Sequence, residues 1–102
     1  GGEKDIAYPN GMDDFSRIDN VPVFVASYDF SDKEPQTNFM RMGYGHYPAT
    51  YLDPHGGAFA QAAAAWLKWQ MKGDEESAKM FTGEPCGLAK DENWEIHKKN
   101  IP

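Results

Sequence analysis

Cysteine is almost missing from these 102 residues: Cys86 stands alone and cannot close a bridge within the chain. That leaves a buried structural thiol, an accidental one, or half of a bridge to a segment outside these residues, and it does not set the redox compartment. Basic charge is also scarce. Ten Lys and Arg stand against sixteen Asp and Glu, a formal net charge of -6. No Lys/Arg cluster runs along a face, so the contacts that neutralise phosphates are lacking and nucleic acid is not an expected partner. Long apolar runs are missing as well. The longest, residues 59–67, contains Gln61 and falls far short of the roughly 20 residues that span a bilayer, so no membrane span is expected. The first residues lack the charged-then-apolar pattern of a signal peptide, so a secreted or periplasmic protein would carry its signal elsewhere.

What is present is enough for a packed core. Hydrophobic residues make up 40% of the chain and aromatics 14%, which favours an ordered globular segment over a disordered tail. Tyr8-Pro9-Asn10-Gly11 reads as a turn, because Pro sets φ and Asn-Gly accepts positive φ. Residues 12–18 then suit a short helix, with Phe15 and Ile18 three apart and Asp13 and Asp14 near its N-terminal end. Residues 21–26, Val-Pro-Val-Phe-Val-Ala, form a continuous β-branched and aromatic run, the pattern of a strand buried on both faces of a parallel sheet. Pro22 belongs at its first positions, where a missing donor is tolerated.

Residues 27–51 are polar and rich in Gly, Pro and aromatics, a length of loop that is usually functional or disordered. After Pro54-His55-Gly56-Gly57, the residues Phe59, Ala62, Ala63, Trp66, Leu67 and Gln70 keep helical spacing, with Ala60, Ala64 and Ala65 adding propensity. The spacing predicts a largely buried helix of about three to four turns, with Trp66 and Trp69 in the core or an interface. Lys68 and Lys72 suit its C-terminal end and Gly73 its termination. Asp74 can cap a second helix over 75–81, and Trp94-Glu95-Ile96-His97 is a candidate terminal strand. One buried-type strand cannot satisfy its backbone alone, so the folded object is expected to include further sequence, on another chain or lost by cleavage or truncation.

Several segments, taken in order, resemble the C-terminal end of a group of bacterial α/β-hydrolases. They are Gly1-Gly2-Glu3-Lys4-Asp5-Ile6-Ala7-Tyr8, Pro22-Val23-Phe24, Gly45-His46, Pro54-His55-Gly56-Gly57, the stretch from Trp66 to Asp74, Phe81-Thr82-Gly83 and Cys86-Gly87-Leu88. The loop between Ser27 and His46 departs from the pattern by its length. The resemblance implies an α/β fold, with residues 1–102 as the C-terminal segment of a single α/β-hydrolase domain: parallel strands flanked by helices, incomplete alone. It implies a serine carboxylic-ester hydrolase that needs no cofactor and acts on a small-molecule, aryl or carbohydrate-linked ester. In that family the triad runs nucleophile, acid, histidine, with the nucleophile on a G-x-S-x-G elbow. Ser16, Ser27, Ser31 and Ser77 all lack the flanking glycines, so the serine is expected upstream or on a partner chain, and these residues alone should be inactive.

On that resemblance His46, between Gly45 and Tyr47, is the catalytic histidine, and Asp5 is the acid that orients it. His55 competes for the histidine role, although a histidine at a helix start that bonds to backbone is its plainer reading. Asp29 is the alternative acid, and Glu3 reads as a solvated or local turn acceptor. Tyr44, Tyr47 and Tyr51 bracket His46 and offer flat apolar surfaces with polar tips for an acyl or sugar group; packing within the loop is the competing reading. His46, Asp53 and His55 lie close in sequence but lack zinc spacing, and Asp29-Phe30-Ser31-Asp32-Lys33-Glu34 lacks the glycine of a calcium loop, so no metal is expected. Two other classes compete: a non-catalytic module that binds carbohydrate or protein, and a degenerate hydrolase that keeps the fold without activity.

Overall fold

A computed structural model describes residues 7–28 and 54–102. Helix α1 (Tyr8–Arg17) leads to strand β1 (Val23–Tyr28). A short 3-10 turn, Pro54–Gly56, opens helix α2 (Gly57–Lys72), followed by the one-turn helix α3 (Glu75–Ala78), a second 3-10 turn (Leu88–Lys90) and strand β2 (Trp94–Lys99).

The sheet contradicts the expected fold class. Among the described residues it has two strands, β1 and β2, and they run antiparallel with Val23 opposite Lys99 and Tyr28 opposite Trp94. This is not the parallel α/β sheet that residues 21–26 and the hydrolase resemblance led us to expect. The apolar run of β1 reports that both faces of the strand are covered, and it carries no information on the direction of the neighbouring strand. Phe24, Ala26 and Tyr28 alternate onto one face, with Phe24 packing on Trp66 and Phe81 and Tyr28 on Phe59. Val23, Val25 and Ser27 alternate onto the other, opposite Lys99, His97 and Glu95, where α1 lies. Two helices therefore do the covering that a parallel sheet was expected to receive. Burial is also shallower than predicted, since only Tyr28 of β1 is fully buried.

Element boundaries shift for local reasons. Tyr8-Pro9-Asn10-Gly11 is the first turn of α1 and not a loop, with Gly11 N–H donating to Ala7 O at 3.2 Å. Proline is tolerated there because first-turn N–H groups have no helical acceptor. The strand starts two residues later than predicted, beyond Pro22, and the carbonyl of Val21 is taken by Asn100 Nδ2 at 2.9 Å. The α2 helix runs 16 residues, about 24 Å, and ends as expected at Gly73, whose φ of 69° lets its N–H reach Trp69 O (2.9 Å) while Asp74 N–H reaches Lys68 O (3.2 Å). It is not largely buried: Leu67 and Met71 are 54% and 78% exposed, and the inward stripe is Phe59, Ala62, Trp66 and Trp69. Asp74 caps α3, accepting from Glu76 N–H (3.3 Å) and Ser77 Oγ (2.7 Å), and the Ser77 hydroxyl chiefly holds its carboxyl below the ordinary value. The helix is shorter than the span predicted from Glu75 to Phe81.

Phe81, the most deeply buried large side chain, sits where these pieces converge. Its ring meets Phe24 edge-on at 4.9 Å and Trp66 at 5.2 Å, and stacks on Trp69 at 5.9 Å. Lys98 lies on this same apolar face of β2; its stem is covered and its Nζ escapes to the carbonyls of Phe81 (3.2 Å) and Gly83 (2.9 Å). Cys86 is buried and unbridged.

At Gly87 the backbone folds back on the α3 turn, its N–H donating to Lys79 O at 3.0 Å. A Cβ there would come within 2.9 Å of both Lys79 O and Met80 Cα, atoms that cannot rotate away. Gly87→Ala should therefore cost about 1–3 kcal/mol by overpacking. Equilibrium denaturation checks this: a midpoint equal to that of the native protein would show that the two backbones can separate freely.

Candidate functional site

The candidate site is built on an aromatic contact between β1, α2 and β2. Tyr28 ends β1, and Phe59 lies in the first turn of α2. Their rings pack at 6.3 Å, and both meet Trp94 of β2, Tyr28 at 4.9 Å and Phe59 at 5.7 Å, all edge-to-face. Phe59 is the first residue of the helical stripe expected from sequence, whereas Tyr28 falls in the segment that reads as loop from residue 27, and the structure extends the strand to include it. The result is an aromatic anchor that joins the end of β1, the start of α2 and β2 at one end of the sheet.

A cleft of about 410 Å³ begins at that anchor. Phe24 and Ala26 form its floor, Phe59 and Trp66 one wall, and Phe81 and Trp94 the other. Its lining is apolar, so it can take an alkyl or aryl group but offers no acid, base or nucleophile of its own.

Of the residues singled out from sequence, only His55 falls within the described part. Asp5 lies in residues 1–6, and Asp29, Tyr44, His46, Tyr47 and Tyr51 lie in residues 29–53; all six are outside the described residues. His55 is exposed and sits in the turn before α2, with a left-handed backbone (φ 56°, ψ 27°), followed by Gly56 and Gly57, also left-handed at φ 81° and 59°. Three successive positive φ values reverse the chain into the helix, so His55 fills a backbone role. Among non-glycine residues histidine accepts this conformation comparatively well.

The described residues do bring together one cluster that sequence reasoning did not single out. Glu95 Oε1 accepts from Tyr8 Oη at 2.8 Å and lies 2.9 Å from His97 Nε2. Phe15 packs on the His97 ring at 5.8 Å, and Lys99 Nζ lies 4.7 Å over the Phe15 ring. The His97 contact chiefly, against some desolvation and with help from Tyr8, holds the Glu95 carboxyl below its ordinary value. Glu95 and His97, two apart on a strand, necessarily share a face, a signal the sequence did contain. Tyr8 was hidden because its segment reads as a turn.

No group of three or more His, Cys, Asp or Glu side chains among the described residues is arranged to hold a metal ion, and no helix among them is long and apolar enough to cross a membrane. Comparison with protein-family models, with curated proteins and with solved structures finds no match for this chain.

Two outcomes follow from these geometries. His55→Gly exchanges a left-handed histidine for the residue that best tolerates that conformation, at the expense of chain entropy, and should leave stability within about 1 kcal/mol; a larger loss in a thermal melt would show that the ring makes contacts that matter. Glu95, with its folded value depressed, contributes stability that is fully present above the ordinary glutamate value of 4.5 and lost as pH falls through the depressed one. Acid titration of Glu95→Gln should therefore show a shallower fall below pH 4.5 than the native protein; superimposable acid limbs would remove Glu95 from the linkage.

Proposed function

We propose that this chain supplies the histidine and the acid of a serine carboxylic-ester hydrolase. His46 takes the proton of a serine hydroxyl as its Oγ attacks the ester carbonyl, and returns it to the departing alkoxide. Water then attacks the acyl-enzyme with the same imidazole as base, releasing the acid and restoring the serine. Asp5 holds the imidazole in the productive tautomer and stabilises its charged form. The serine and the donors that stabilise the oxyanion come from polypeptide beyond these residues, on the same chain or on a partner.

The observation that carries this reading is the aromatic anchor. Tyr28, Phe59 and Trp94 meet at the mouth of an apolar cleft of a size for an acyl or aryl group, and His46 lies between Tyr28 and Phe59 in the sequence. Segments that connect packed elements are the usual carriers of catalytic groups. The ordered run of motifs, from Gly1-Gly2 to Cys86-Gly87-Leu88, supports the same class. The antiparallel sheet removes the α/β-hydrolase fold from that support, and the reading stands on the residue types and on the recurrence of triads on unrelated folds.

Intact-mass analysis of the purified protein, followed by labelling with a serine-directed phosphonate, is the direct test. The expected result is a labelled serine outside these 102 residues, on a species that contains them. His46→Ala should remove most of kcat on an aryl ester with little change in KM, whereas His55→Gly should leave both near native. A folded protein that takes up no label, or the reverse pattern for the two histidines, would overturn the assignment.

A further inference from the structure

The cleft between α2 and the sheet offers an occupant mostly ring surface. Phe24, Phe59, Trp66, Phe81 and Trp94 all line it. Neighbouring rings stand nearly perpendicular, Phe24 to Phe81 at 82°, Trp66 to Phe81 at 89° and Phe59 to Trp94 at 71°, so the lining presents both ring faces and ring edges. A flat aromatic ring can meet such a surface edge to face or offset, whereas an alkyl chain meets it by dispersion alone. The remaining lining residues are alanine and leucine, so a charge that entered would lose its water with no side chain to pair it. An apolar cavity of about 150 Å³ suffices for one benzene ring. At about 410 Å³ the cleft has room for a ring with a substituent.

The lining also holds two polar side-chain atoms, the indole nitrogens of Trp66 and Trp94. Neither N–H has an acceptor among the described residues. Trp66 is only partly buried. Trp94 is enclosed: it is 8% exposed, the rings of Tyr28 and Phe59 pack against it, and its backbone N–H is taken by Asp91 O at 3.1 Å. No fully buried polar side-chain atom among the described residues lacks a partner, so the unpaired Nε1 lies on the small part of Trp94 that stays accessible. A donor left there is a handle for an acceptor brought in by a ligand. We propose that the cleft is a binding site for an uncharged aromatic group carrying an acceptor oxygen, which receives the Trp94 indole N–H while the surrounding rings pack on the aromatic plane. That this group is part of an ester substrate rests on the hydrolase reading; the site itself is built from β1, α2, β2 and Phe81. A ligand without the acceptor displaces water from the indole N–H and leaves it unpaired, which is the source of selection.

The test is an NMR titration of the complete protein with three uncharged ligands that an esterase cannot cleave. They are acetophenone, ethylbenzene, which lacks the carbonyl, and cyclohexyl methyl ketone, which lacks the aromatic ring. Acetophenone should bind about tenfold tighter than ethylbenzene, the worth of one hydrogen bond. It should bind about threefold or more tighter than the cyclohexyl ketone, through ring packing. Acetophenone should also move the indole N–H resonance of Trp94 downfield, and ethylbenzene should not. In Trp94→Phe the affinities for acetophenone and ethylbenzene should become equal, and Ala62→Phe, which fills the cleft from α2, should weaken binding of all three. The ligand comparison and the indole resonance need no variant, so a Trp94→Phe protein that folds poorly leaves the test intact. Equal affinities for the three ligands in the native protein, or acetophenone bound with the Trp94 resonance unmoved, would overturn the proposal. Phosphonate labelling reads the chemistry separately. Protein that shows the selectivity and takes no label keeps the site and loses the hydrolase reading, whereas protein that labels and binds the three ligands equally loses the site alone.

Discussion

The pairing of β1 with β2 is the constraint on which the rest of the structure depends. It joins residues 23–28 to residues 94–99, almost the full length of the described chain apart, and fixes which side chains stand together. Because side chains alternate along a strand, one register decides two surfaces at once. Tyr28 opposite Trp94 and Ala26 opposite Ile96 build the floor on which α2 rests, while Ser27 opposite Glu95 and Val25 opposite His97 build the surface that α1 covers. A slip of one residue would exchange the aromatic floor for the polar surface.

The two surfaces hold their helices by different physics. On the α2 side the contacts are aromatic, with Phe81 at the meeting point of Phe24, Trp66 and Trp69, and each well-oriented ring pair adds about 0.5–1.5 kcal/mol beyond simple burial. Such contacts are indifferent to pH. On the α1 side they are directional and include ionisable groups, among them Glu95 with Tyr8 and His97, and Lys99 with Asp19. That side responds to acid through Glu95. The apolar cleft and the Tyr28–Phe59–Trp94 rings belong to the aromatic side, and the Tyr8–Glu95 contact to the ionisable one.

Much of the local architecture was legible. The helical stripe from Phe59 to Trp69, the Gly73 stop, the Asp74 cap and the strand around Trp94 each follow from a short-range rule, and the structure places all four. The errors came where a local rule competes with context. Tyr8-Pro9-Asn10-Gly11 has turn chemistry, yet Pro in a first helical turn is equally permitted, and packing of Tyr8 and Phe15 on β2 settles the choice. Of the candidate site, the sequence located His55 at a helix start and the structure adds its left-handed backbone. The Tyr8–Glu95–His97 cluster was out of reach because it joins residues 87 apart in the chain.

The sequence by itself determined the type of most described elements, the Gly73 end of α2 and the Asp74 start of α3, because hydrophobic period, capping and glycine φ act over a few residues. It also determined that β1 would be covered on both faces, since Val and Phe alternate with no polar residue between them. Only the tertiary structure decided what does the covering and in which direction the neighbouring strand runs. Strand direction is carried by backbone hydrogen bonds, which every residue except proline can form, so side-chain pattern is almost silent on it. The same holds for the anchor at Tyr28, Phe59 and Trp94: Phe59 and Trp94 lie in elements the sequence foresaw, Tyr28 falls in a segment that reads as loop, and only the fold could bring the three to one point.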